Sequence, residues 1–331
     1  MHGRLFQFDL GFLKEDLVMP GPSYFVLLLA GFMIATIMGA IWARRVGQNP
    51  DVIVDLGLAM VLAGIAGSRL LHVLADGHFM EYVHRCTDPS LVAWHVSRRE
   101  CLGPDIAGKW DTVKFVCHPA EVDCFAWAKF YNGGFTYYGG FVAASVTAWY
   151  LLKTDRFPFW KAADMAGMVV PVGLGFGRLG CLLAGCCFGK PWHSHLAVKF
   201  PGGSPASEAQ HLAGLVSSNA SESLAVHPTQ LYESAASFAI AAFLILYLHG
   251  RKRYDGQIFV AFVGAYAVVR FLLEFARADD RGGILFLSTS QLLGIVLVGA
   301  AVWAHRRLSA RAETALGPAS PPGLPPTEAA A

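Results

Sequence analysis

Apolar residues in this chain are gathered into long blocks instead of alternating with polar ones. The blocks at residues 23–42, 52–74, 133–152, 162–183, 230–248, 257–275 and 290–303 carry few charges. Most approach the roughly 20 residues that a helix, rising about 1.5 Å per residue, needs to cross a hydrocarbon layer about 30 Å thick. The pattern predicts an all-α, polytopic membrane protein with about seven transmembrane helices, the last block being the shortest. Two polar stretches between blocks are too long for simple turns. Residues 76–129 read as an extracytoplasmic insertion, and residues 190–225, rich in Gly, Pro, Ser and His, read as an arm or gate. Residues 1–311 are expected to form the transmembrane domain. Residues 312–331, mainly Ala, Pro, Gly, Ser and Thr, are expected to be a disordered cytoplasmic tail.

Composition supports the membrane reading. Hydrophobic residues make up 54% and charged residues only 15%, against about a quarter charged in soluble domains. Charge then orients the chain. Arg44 and Arg45, Lys153, Arg156 and Lys161, Arg251, Lys252 and Arg253, and Arg306, Arg307 and Arg311 all fall on one face of a seven-span arrangement. The positive-inside rule makes that face cytoplasmic and puts the N-terminus outside. Asp9, Glu15, Asp16, Asp279 and Asp280 fall on the other face. The first block is preceded by Asp9, Lys14, Glu15 and Asp16 and followed by Ala-Arg-Arg, the reverse of a secretory leader, so it reads as a retained anchor. The formal net charge of +2 identifies no partner, and nucleic acid is not expected to be one.

The 76–129 insertion carries Cys86, Cys101, Cys117 and Cys124. On an oxidising face an even set of cysteines reads as disulfides, with three connectivities open. Leu91, Val92, Trp94, Trp110, Phe115 and Val116 suggest a small stapled subdomain. A zinc site with His95 or His118 lacks the usual paired spacing.

Charges inside a membrane span are expensive, and they mark function by default. The second block contains Gly-Ser-Arg69-Leu-Leu-His72, and the fourth contains Arg178 among Gly175, Gly177 and Gly180. The fifth is opened by V-H-P-T-Q-L-Y-E-S at residues 226–234, which places His227, Gln230, Tyr232 and Glu233 at a helix mouth where Pro228 costs no hydrogen bond. In the sixth, Arg270, Glu274 and Arg277 recur at i, i+4 and i+7, which on a continuous helix forms one ladder with Glu274 able to hold either arginine. Glycines around Arg178 allow close approach, and a guanidinium presents a planar fork to phosphate. Arginines converging inside a bilayer imply an anionic ligand, and the anion most available there is a phospholipid headgroup.

Taken together, G-S-R-L-L-H at 67–72, the double glycines around Tyr138, G-R-L-G-C-L-L-A-G-C-C-F-G at 177–189, H-P-T-Q-L-Y-E at 227–233 and R-F-L-L-E-F-A-R at 270–277 resemble the prolipoprotein diacylglyceryl transferase family. The resemblance spans nearly the whole membrane region in order. It implies seven helices, an outside N-terminus and a bacterial inner-membrane enzyme. The implied reaction moves a diacylglyceryl group from phosphatidylglycerol to the lipobox cysteine of a preprolipoprotein, leaving glycerol phosphate and a thioether. The implied partners are phosphatidylglycerol and preprolipoprotein signal segments, with no cofactor or metal, and a monomer is expected. By position, the resemblance gives catalytic roles to Arg178, Arg270 and Glu274, and lipid binding to Arg178, Arg69, Arg277, Gln230, Tyr232, Glu233, Gly139, Gly140 and Gly189. The chain departs from the family at Tyr138, where histidine is usual, and at Cys181 and Cys186, where asparagine and glutamate are usual.

Alkylating a thiol needs the thiolate, and a tyrosine with ordinary pKa near 10 is a poor base. His227 is the first substitute and His72 the second, with Tyr138 left to donate a hydrogen bond. Cys181, Cys186 and Cys187 read in three ways: packing residues at a turn, a redox pair, or metal ligands with His193 or His195. Two other functions stay open. A non-catalytic phospholipid-binding protein would keep the arginines without a base, and a membrane thiol oxidoreductase would use Cys186 and Cys187.

Overall fold

The computed structural model describes residues 23–103, 106, 108–129, 134–218, 221–278, 283–284 and 287–316. In chain order the helices are α1 (Ser23–Arg45), α2 (Pro50–Ala75), α3 (Phe79–Thr87), α4 (Arg98–Cys101), α5 (Tyr137–Thr154), α6 (Phe159–Ala184), α7 (Pro205–Leu212), α8 (Thr229–Ala242), α9 (Gln257–Leu273) and α10 (Thr289–Leu316). Two antiparallel hairpins join them, β1 with β2 (Lys109–Asp111 and Val116–His118) and β3 with β4 (Gly283–Ile284 and Leu287–Ser288). The chain divides into two compact units, one of Asp51–Phe157 and the other of everything before and after it.

Among the described residues, six helices are long and apolar enough to cross a membrane: Tyr24–Arg45, Pro50–Ala75, Phe159–Ala184, Thr229–Arg251, Gln257–Ala276 and Thr289–Thr314. The seventh expected span is α5. It starts at Tyr137, later than the apolar block that predicted it, and its Tyr-Tyr-Gly-Gly opening and Lys-Thr end leave it less apolar than the other six. The last block, expected to be the shortest, lies in the longest helix, of 28 residues. Ala, Arg, Leu and Glu after Trp303 are strong helix formers and carry α10 past the boundary expected at Arg311. The rest of the tail lies outside the described residues, as do Asp279 and Asp280.

In the larger unit α6 is the hub, packed against α1, α8 and α9, with α10 on α9. Small residues make this possible, because helices in a bilayer associate through close backbone packing. A Cβ on Gly31 of α1 would lie 2.6 Å from that of Phe176, and one on Gly175 would lie 2.6 Å from the Phe238 ring of α8. Gly167 meets the α9 backbone in the same way, at 2.9 Å from the Phe259 Cα.

Asp164 completes the joint between α6 and α9. Its fully buried carboxylate accepts from the backbone N–H of Ile258 (2.8 Å) and Phe259 (3.2 Å) through one oxygen, and of Gly256 (2.9 Å) through the other. Lys252 Nζ donates to it at 3.0 Å. A side chain from a neighbouring helix thus satisfies donors that the first turn of α9 leaves unpaired. Gly256, at φ 96°, makes the turn that aims those amides.

The 190–225 segment is built into this unit. Val198, Phe200 and Ala206 are buried with Leu182 and Val226 in one apolar cluster. Val198 exchanges backbone hydrogen bonds with Val226, and Ser204 caps α7. The segment expected to be an arm is therefore anchored at its base, between Pro191 and Val226, by hydrophobic burial.

The smaller unit pairs α2 with α5 through Gly67 and Gly139, where an added Cβ would fall within 2.6 Å of the opposing backbone. Its insertion folds around the β1–β2 hairpin and two disulfides, Cys86–Cys124 and Cys101–Cys117. That is one of the three connectivities left open by the sequence. Val92, Val116, Cys101 and Cys117 form its buried centre.

Replacing Asp164 by Ala strands the α9 amides and leaves Lys252 with Asp255 (2.7 Å). Asp164→Ala is expected to cost about 3 kcal/mol, read as a lower thermal midpoint of the detergent-solubilised protein. An unchanged midpoint would contradict the capping role.

Candidate functional site

The site grows from the end of α6. Gly185, at φ 71°, ends the helix in the left-handed region, and Cys187 repeats that conformation at φ 60°. A β-carbon makes this costly, so the loop has to be held from outside. Gln230 Nε2 donates to the Cys186 carbonyl at 2.7 Å and Thr229 Oγ1 to the Cys187 carbonyl at 2.8 Å. Gly189 N donates to His227 O (3.0 Å) and His227 N to Lys190 O (3.0 Å), while Lys190 N donates to Ala276 O at 2.8 Å. The three motifs at 177–189, 227–233 and 270–277 are thereby stitched side by side. Gly189 permits it: a Cβ there would sit 2.5 Å from His227 Cβ and 2.6 Å from Ala276 O.

Glu233 lies at the centre, with only 1% of its surface exposed. One oxygen meets Arg178 Nη2 at 3.0 Å and accepts from the Tyr266 hydroxyl at 2.7 Å, and the other faces Arg277 Nη1 at 3.9 Å. A buried carboxylate is tolerated only with such partners. Arg178 has five N–H donors, so an anion can still be received beside Glu233. Tyr266, inside an apolar helix, carried no sequence signal beyond its hydroxyl.

The expected three-rung ladder is interrupted. Helix α9 ends at Leu273, residues Glu274–Ala276 form a 3-10 turn, and Arg277 is extended at φ −79° and ψ 149°. Arg270 keeps Glu274, with Nη1 to Oε2 at 3.1 Å. Arg277 instead runs beside Gly189 and turns to Glu233. The loss of helical geometry after Leu273 separates two residues that a continuous helix would stack.

His227 stacks on Trp192, the ring centroids 4.2 Å apart and 10° from parallel, and its Nδ1 lies 3.5 Å from the Tyr232 hydroxyl. Trp192 was not singled out in the sequence. Gln230, buried behind the cysteine loop, has its Oε1 without a hydrogen-bond partner among the described residues. The thiols of Cys181, Cys186 and Cys187 lie within 4.8 Å of one another and are the one group among the described residues arranged to hold a metal ion. His193 and His195 do not join it.

The remaining candidates lie in the smaller unit. Arg69, where a lipid ligand was expected, spends its guanidinium on loop carbonyls: Nε to Trp127 O (2.8 Å), Nη2 to Ala126 O (2.9 Å) and Nη1 to Gly134 O (3.2 Å). His72 Nδ1 pairs with Asp76 Oδ2 at 3.0 Å. The Thr136 hydroxyl and then His72 hold the Asp76 carboxyl below the usual carboxylate range. Gly139 and Gly140 form the close contact with α2, and Tyr138 is 68% exposed.

The profile of the family described as Prolipoprotein diacylglyceryl transferase matches residues 20–306. A Clostridium tetani protein named phosphatidylglycerol–prolipoprotein diacylglyceryl transferase is 26% identical over 276 residues, covering 83% of this chain and 88% of that protein. A Clostridium perfringens protein of that name, numbered 2, is 27% identical over 298 residues, 88% of this chain and 93% of its own length. A Burkholderia orbicola protein with the same name is 30% identical over 326 residues, with 88% and 93% covered.

Glu233 and Arg178 should behave as one unit in stability. A double-mutant cycle with Glu233→Gln and Arg178→Met, read by thermal unfolding in detergent, is expected to give a coupling of about 2 kcal/mol or more. Strict additivity would contradict the buried pair.

Proposed function

The chain belongs to the prolipoprotein diacylglyceryl transferase family, and we propose that it transfers the diacylglyceryl group of phosphatidylglycerol to the lipobox cysteine thiol of a preprolipoprotein. The observation that carries this reading is the buried Glu233 carboxylate with Arg178 and Arg277 around it, among helices apolar enough for a bilayer. Such a cluster suits a lipid phosphate better than a free metabolite, because the ligand already resides in the surrounding phase.

Arg178 takes the phosphate in this mechanism, with Arg277 beside it and Glu233 fixing both guanidinium planes. The sulfur of the substrate attacks the glyceryl carbon, a C–S bond forms, and the C–O bond to phosphate breaks with its electron pair leaving on glycerol phosphate. Charge gathers on the departing phosphate, where preset donors in a dry site act most strongly. His227 accepts the thiol proton, its ring held by Trp192 and near Tyr232. Arg270 with Glu274 positions the segment that carries Arg277. Gln230, Tyr232 and Gly189 shape the mouth of the site. Arg69 and His72 organise the insertion from α2, and Gly139 and Gly140 set the packing of α5 that displays Tyr138. The working arrangement is seven spans, N-terminus outside, in the bacterial inner membrane, with one chain carrying the complete site.

The reaction is tested by giving the purified protein phosphatidylglycerol and a lipobox peptide and weighing the thioether product by mass spectrometry. Arg178→Ala is expected to lose about 100-fold or more, and Arg178→Lys to stay impaired because a point charge cannot replace the fork. Near-normal turnover of the lysine variant would remove the clamp.

The base assignment makes a separate prediction in the same assay. His227→Ala is expected to cost about 100-fold, and Tyr138→Phe about tenfold, equivalent to one hydrogen bond of about 1.5 kcal/mol. Full activity without His227 alongside a dead Tyr138→Phe variant would move the chemistry to the tyrosine.

A further inference from the structure

The cysteine cluster is left unused by the mechanism above. Cys181 is on the last turn of α6, and Cys186 and Cys187 follow the left-handed Gly185, which folds the chain back so that all three thiols converge. Four other cysteines are consumed in disulfides, while these three are free and half-buried. An odd set cannot be satisfied by pairing, since one disulfide leaves a thiol over. A thiophilic ion uses all three.

From this geometry we infer that Cys181, Cys186 and Cys187 form a three-thiolate zinc site whose open fourth position takes the substrate thiol. Four sulfurs at about 2.3 Å around zinc stand about 3.8 Å apart, and thiols already within 4.8 Å of one another need only small side-chain rotations to reach that spacing. Thiolates are soft ligands that select such ions over magnesium or calcium. The supporting shell is in place. The carbonyls of Cys186 and Cys187 are held by Gln230 and Thr229, which fixes the direction of both side chains despite the strained φ at Cys187. Arg178 lies close enough to Cys187 to act on it through its charge and Arg277 through a hydrogen bond, and the two cations offset the negative charge of the thiolates. No histidine completes the set among the described residues, so the fourth position is open, as in catalytic zinc sites and unlike closed structural ones.

The chemistry answers the problem raised by Tyr138. A thiol bound to zinc is held as thiolate at neutral pH. Its proton passes to His227, the metal-held sulfur supplies the electron pair of the new C–S bond, and the C–O bond breaks onto the phosphate beside Arg178. The product thioether is a weaker ligand than a thiolate and leaves zinc free for the next turnover. The substrate half of this inference rests on the proposed transfer reaction, whereas the metal half does not.

Two readouts test it. Metal analysis of protein purified without chelator is expected to give one zinc per chain, falling below a tenth in Cys186→Ser and in Cys187→Ser and retained in Cys186→His, which keeps a ligand. Should the serine variants fail to fold, wild-type protein stripped by a chelator and titrated with cobalt(II) gives the same information through its thiolate-to-cobalt charge-transfer absorption. Adding lipobox peptide to the cobalt protein is expected to strengthen that absorption, and a peptide with serine for cysteine is expected to leave it unchanged. Absence of stoichiometric metal, with a disulfide among the three cysteines or free thiols that ignore cobalt, would overturn the site. Metal bound with no response to the cysteine peptide, while thioether still forms, would overturn the open fourth position. Cobalt binding and peptide response without any transfer from phosphatidylglycerol would support the metal site and sink the proposed reaction instead.

Discussion

Everything in the larger unit depends on keeping the Glu233 carboxylate charged inside an apolar bundle. Isolated there it would cost several kcal/mol, so the structure brings it Arg178 from α6, Tyr266 from α9 and Arg277 from beyond α9. Each partner comes from a different element, and the requirement for all of them fixes how α6, α8 and α9 meet. The glycines of α6 allow that approach and Asp164 locks it from the other end. Stability and the proposed chemistry are therefore coupled: the carboxylate that needs the arginines for solvation also fixes where their guanidinium groups lie.

The same arrangement explains why polar groups are spent so unevenly. Arg69 is as costly to bury as Arg178, yet its donors go to the backbone carbonyls of Ala126, Trp127 and Gly134. Arg178 meets a carboxylate and a phenol, which use only part of its fork. Arg69, bonded to three backbone carbonyls, pins the loops around it, while Arg178 keeps N–H donors beyond those that Glu233 and Tyr266 use.

Much of this was legible in the sequence, because charge within an apolar block is a strong signal. Arg178, Glu233, Arg270 and Arg277 were found that way, and the structure brings the three motifs that carry them side by side. Other features depend on geometry that periodicity does not encode. The end of α9 at Leu273 carries no Gly or Pro to announce it, so periodicity alone continues the ladder to Arg277, where the structure has left the helix. Asp164, near the start of an apolar block, is a charge of the same kind as Arg178, but its role shows only when its carboxylate is seen capping α9. Tyr266 and Trp192 look like ordinary membrane aromatics until their partners are known. The Cys101–Cys117 pairing depends on how α4 packs on the β1–β2 hairpin, where Gly108 N bonds Cys101 O at 2.7 Å just ahead of β1. The short, poorly patterned strands gave no warning of it.

In the proposed reaction Arg178, beside Glu233, holds the phosphate of a lipid. A structure of the protein with a phosphonate analogue of phosphatidylglycerol, which cannot release its diacylglyceryl group, tests this most directly. A phosphonate oxygen is expected at about 2.8 Å from a guanidinium nitrogen of Arg178, with Arg277 beside it and Glu233 still orienting both. A headgroup bound elsewhere, with no Arg178 nitrogen on the phosphonate, would contradict it.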